Sequence, residues 1–99
     1  MYGQQLIRTY ERVRSLGLTE SKKSFSIRWC GKGGDLLRDY ARRGGATARV
    51  SPCTVSHLRE RLAEAASLLP TEIAEEIRQI DACIGRDLHI ADLLGRRAV

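Results

Sequence analysis

Lys22, Lys23, Arg28, Lys32, Arg38, Arg42, Arg43 and Arg49 form a dense run of cations, opposed within that run only by Asp35 and Asp39. Side chains of this kind bind anions. A guanidinium fork suits a guanine edge or a phosphate, and a lysine clamps a phosphate as a point charge. The surrounding charge has the same polarity. Residues 1–50 hold eleven Lys/Arg against four Asp/Glu, a net of +7, and residues 51–99 hold six against eight, a net of −2. A basic half joined to a mildly acidic half reads as a polyanion-facing surface attached to a separate structural part.

Other chemistries find little support. Cys30, Cys53 and Cys83 are odd in number, far apart and without a C-x-x-C, so neither a disulfide framework nor a zinc site is expected. His57 and His89 have no His or Cys at i+3 or i+4, which argues against a metal role. The "GKGG" of Gly31–Gly34 lacks the spacing of a phosphate loop and follows no strand, and a helix corner is the expectation. No Ser, Thr or Cys has a local His and acid to activate it, so neither an enzyme nor a bound cofactor is expected. The five aromatics look committed to apolar faces, leaving no stacking platform for RNA. With no apolar run of membrane-spanning length and a polar N-terminus, the expected location is the cytoplasm, with reduced thiols.

The elements that would position the cations are helical. Four Val and five aromatics among 99 residues leave strand formers scarce, and the length suits one domain, residues 1–99. An all-α domain of five or six helices follows. Leu6, Tyr10, Val13 and Leu16 give a first amphipathic helix, with Gly17 and Leu18 as its Schellman ending. Thr19 or Ser21 would cap a second helix carrying Phe25, Ile27, Trp29 and Cys30, ended by Gly31, Gly33 and Gly34. Asp35 would cap a third, with Leu37 and Tyr40 inward, stopping at Gly44 and Gly45.

Ser51-Pro52 starts a fourth helix with the stripe Val55, Leu58, Leu62, Ala65 and Leu69, and Pro70 ends it. Thr71 would cap the last, residues 71–95. Its ladder of Ile73, Ile77, Ile80 and Ile84 suits core packing or a dimer seam, with Gly85 a candidate break before a sixth helix.

The stretch "SKKSFSIRWCGKGGDLLRDYARRGG" therefore reads as two short helices about a glycine corner. It resembles the compact helix–turn–helix of Cro/Xre-type phage and bacterial repressors. Phe25-Ser26 stands for the first-helix pair, Gly31 for the turn glycine, and Leu37 and Tyr40 for the inward pair; "SPCTVSHLRERL" is similar to the helix that follows. The resemblance spans residues 19–69. It implies sequence-specific binding of double-stranded DNA, commonly as a homodimer, with the third helix in the major groove.

On that reading Arg38, Arg42 and Lys32 lie nearest the bases or adjacent phosphates, and Lys22, Lys23, Arg28, Arg43 and Arg49 serve phosphates. The chain departs from the family pattern in having Lys32 after the turn glycine, Gly31 one position late, and Asp35 and Asp39 on the DNA-facing side. The alternative is a helical protein-binding adaptor or anti-activator that docks its basic half on an acidic partner protein.

Overall fold

The computed structural model describes residues 1–42 and 45–97, and it is all-α. Five α-helices run in chain order: α1 Gly3–Ser15, α2 Lys22–Arg28, α3 Leu36–Ala41, α4 Pro52–Leu68 and α5 Thr71–Arg97, with a 3-10 turn at Gly45–Thr47. The described residues contain no strand, and one isolated antiparallel bridge joins Tyr2 to Arg49. None of the described helices is long and apolar enough to cross a membrane.

Helices α4 and α5 make the most extensive helix pair, an antiparallel hairpin turning at Leu69-Pro70. Ser51 caps α4 by accepting from the Thr54 N–H at 3.3 Å, with Pro52 at the first helical position, where its missing N–H is not needed. Val55, Leu58, Leu62 and Ala66 are buried on α4, facing Ala74, Ile77, Ile80 and Ile84 of α5. Ile77, Ile80 and Ile84 of the isoleucine ladder are therefore core, with Ile73 half-buried beside them. Ala65 and Leu69, expected on that stripe, are only half-buried beside it.

Gly85 does not break α5, which runs unbroken for 27 residues. One glycine costs a helix interior only about 1 kcal/mol, and at this position α4 lies close against it. Arg59 reaches across to Asp81 with Nε–Oδ1 at 2.8 Å and Nη2–Oδ2 at 3.3 Å, and a Cβ at Gly85 would stand 3.2 Å from the same guanidinium. Thr71 is the first helical residue rather than the cap; the Pro70 carbonyl accepts from Ala74 at 2.9 Å.

Helix α1 buries Leu6, Tyr10 and Val13. It ends in a Schellman motif, with Leu18 N–H on the Val13 carbonyl (3.2 Å), Gly17 N–H on Arg14 (2.9 Å) and Gly17 at φ 77°. The chain before α1 is pinned to the chain before α4: Gly3 N–H donates to Ala48 O at 2.8 Å and Val50 N–H to Met1 O at 2.9 Å. Helix α3 packs on α1 and on α2. Phe25 is fully buried between Tyr10 (edge-on, 5.5 Å) and Trp29 (stacked, 6.5 Å).

The left-handed glycines differ in their surroundings. Nothing lies within 4 Å of a Cβ at Gly17, whereas a Cβ at Gly31 (φ 66°) would stand 2.8 Å from the His57 ring. Gly17→Ala is expected to cost only the left-handed penalty, about 1 kcal/mol. Gly31→Ala adds the ring clash and should cost about 2 kcal/mol. Urea unfolding of the two variants measures the difference.

Candidate nucleic-acid interface

Ser21 starts α2 by accepting from the Ser24 N–H at 3.1 Å. Lys22 and Lys23 then occupy the first turn, both exposed. The Lys23 stem lies over Gly34, where an added Cβ would come within 2.7 Å of its Cγ, so the start of α2 touches the connector to α3. Inside α2, Phe25 and Ser26 are buried, and the Ser26 hydroxyl donates to the Lys22 carbonyl at 2.8 Å. Ile27, expected on the apolar face, is 48% exposed, since the inward-facing positions go to its neighbours Phe25 and Ser26.

Helix α4 holds the C-terminal end of α2. Arg61 Nε donates to the Arg28 carbonyl at 3.1 Å, and His57 Nδ1 donates to the Trp29 carbonyl at 3.2 Å. Both side chains meet carbonyls that a helix end leaves unpaired, and the arginine also complements the dipole there. Arg61 further pairs with Glu64 at 3.1 Å. Sequence reasoning missed this role for His57 and Arg61. The available signal was two N–H-donating side chains one turn apart on α4.

The connector between α2 and α3 runs over residues 29–35. That is longer than the turn of about three or four residues that joins a tight helix–turn–helix. Lys32 sits in it, exposed, its N–H on the Ser26 carbonyl at 3.0 Å. Asp35 makes no side-chain cap to α3; its carboxylate lies 3.8 Å from Arg38 in an exposed pair. Such a pair contributes little in water. Asp39 makes no ion pair among the described residues, and its neighbour Arg38 is turned to Asp35 instead.

Leu37 is buried and Tyr40 half-buried, as expected of inward positions. Helix α3 ends at Ala41, before the glycines. Arg42 is its C-cap in extended conformation (φ −101°, ψ 164°), one step off the helical face assigned to it. Arg43 and Gly44 lie outside the described residues. Arg49 is exposed in the bridge to Tyr2, and its carbonyl accepts from Tyr40 Oη at 3.4 Å. It lines a cleft with Tyr2, Pro52 and Leu88, none of them in α2 or α3.

The fold thus gathers Lys22, Lys23, Arg28, Lys32 and Arg38 on one packed unit, with Arg42 at its edge and Arg49 elsewhere. Among the described residues, Lys22, Lys23, Arg28, Lys32, Arg42 and Arg49 have no carboxylate within ion-pair distance. No group of three or more His, Cys, Asp or Glu among the described residues is placed to hold a metal ion. Compared with known protein families, curated proteins and solved structures, the chain matches none.

Proposed function

We propose that this protein is a sequence-specific DNA-binding transcriptional regulator that acts through α2, the connector and α3, and binds as a homodimer. The carrying observation is the set of exposed cations without carboxylate partners on that unit. Lys22 and Lys23 sit at a helix N-terminus, where the helix dipole disfavours positive charge. Their placement therefore works against α2 and favours an external anion. Phosphates would meet Lys22, Lys23, Arg28 and Lys32, and Arg38 on α3 is best placed for a base edge. Leu93 and Leu94 are exposed toward the end of α5, outside the α1–α5 cleft, and would supply an apolar face for the second subunit.

A second reading, the protein-binding adaptor, is favoured by the long connector and by the six residues of α3, which give less reach into a groove than a full recognition helix. Fluorescence anisotropy of a mixed-sequence duplex separates the two. For the regulator, affinity should fall by roughly 10³ between about 50 and about 200 mM salt, as several phosphate contacts require. Arg38→Glu should weaken binding by at least about tenfold with the thermal melt unchanged. Absence of binding at the lower salt would select the adaptor.

A further inference from the structure

A cleft of about 420 Å³ opens between α1 and α5, and no residue of α2 or α3 lines it. Its size is that of a small-molecule pocket. Arg8 and Arg12 lie one turn apart on the α1 wall, and Arg86 lies on the α5 wall. Among the described residues none of the three is paired to a carboxylate. Asp87 is the one acid in the lining, so the charged side chains there sum to +2. Like charges one turn apart destabilise a helix, and here a facing helix adds a third. Ile90 supplies an exposed apolar surface beside them, and the core residues Ile80 and Ile84 show only an edge to the cleft floor.

The arginines already converge on the softest acceptor within reach. Arg86 Nη2 lies 3.2 Å and Arg12 Nη1 3.8 Å from Cys83 Sγ, one from each wall. The Arg86 hydrogen bond, aided by Arg12 and opposed by burial, lowers the thiol from its ordinary value. Cys30, by contrast, is pushed up to about 12 by burial alone.

We infer that the α1–α5 cleft is a binding site for a small amphipathic anion, with a carboxylate or phosphate head on Arg8, Arg12 and Arg86 and a short apolar body against Ile90, over the edge of the core at Ile80 and Ile84. Two guanidiniums from one helix and one from the other grip such a head as a fork. The site is independent of DNA binding, and either can fail without the other.

Cys83 provides the readout. Iodoacetamide alkylates accessible thiolate, so a bound anion that covers Cys83 and draws its arginines away slows labelling there. Cys53, exposed and outside the cleft, serves as internal control. The probes are octanoate and octyl phosphate, each below its micelle concentration, against octanol and inorganic phosphate.

Saturable protection of Cys83 by at least about tenfold is expected from one or both amphiphilic anions, the responding head distinguishing carboxylate from phosphate. Arg8→Gln, which leaves both Cys83 contacts in place, should raise the concentration required by about tenfold. Arg14→Gln, outside the cleft, should not change it. Failure of both anions to protect, or equal protection by octanol or by inorganic phosphate, would overturn the inference. So would protection by duplex DNA in place of the amphiphiles, which would assign these arginines to a polyanion surface. Unchanged melting of both variants confirms that the comparison is made on folded protein.

Discussion

Phe25→Ala should destabilise the protein by about 3–5 kcal/mol, the cost of deleting a fully buried aromatic ring. A domain of this size has roughly 5–15 kcal/mol in total, so the loss takes a large share. The edge-on contact with Tyr10 ties α2 to α1, and the stacked contact with Trp29 ties the end of α2 to its own start. Helices α2 and α3 have seven and six residues. Neither length sustains a helix alone, so both depend on packing.

The damage should therefore be uneven. Hydrogen exchange should show protection lost first over residues 21–42, while the α4–α5 hairpin, with its own apolar seam, keeps more of its protection. Equal loss in both regions would mean that α2 and α3 do not form a separable unit. Duplex binding should fall with the protection of that unit, because its cations would no longer be held in one arrangement.

Gly3→Ala should be nearly as damaging, at about 3 kcal/mol. A Cβ at Gly3 would collide with the Gly45 carbonyl oxygen and stand 2.7 Å from a Tyr40 ring carbon. The first obstacle is backbone, which has no rotamer to yield. Relief requires α1 to move away from the 3-10 turn and α3, breaking the Gly3–Ala48 and Val50–Met1 hydrogen bonds. Slowed exchange at the Gly3 and Val50 amides should disappear in the variant. Gly33→Ala is the matched control, with nothing within 4 Å of its added Cβ. Its stability should change by less than about 1 kcal/mol. A similar cost for both glycines in urea unfolding would remove the close-approach explanation.

These expectations show which features were legible in the amino-acid sequence. The Schellman ending at Gly17, the Ser21 and Ser51 caps, the proline opening of α4 and the apolar seams of α1, α4 and α5 each depend on residues within one or two turns. Spacing and local hydrogen-bonding chemistry determine such features. The eight cations and their asymmetry were equally legible, as was the inward placement of Leu37. The misreadings have local competitors. Asp35 turns to Arg38 instead of capping, and α3 stops before the glycines thought to end it.

By itself, then, the sequence determined an all-helical protein, most of its helix ends and the placement of Lys22, Lys23, Arg28 and Arg38 on two short helices. Only the tertiary structure decided what those elements meet. His57 and Arg61 holding the end of α2, Gly3 against Gly45, Gly85 beneath Arg59, and Cys83 reached by Arg12 all join residues distant in the chain. Periodicity states that a helix has an inward face, but it carries no information about which helix lies opposite. That choice follows from packing of the whole chain, and it created both the neighbours of the basic unit and the arginine cleft.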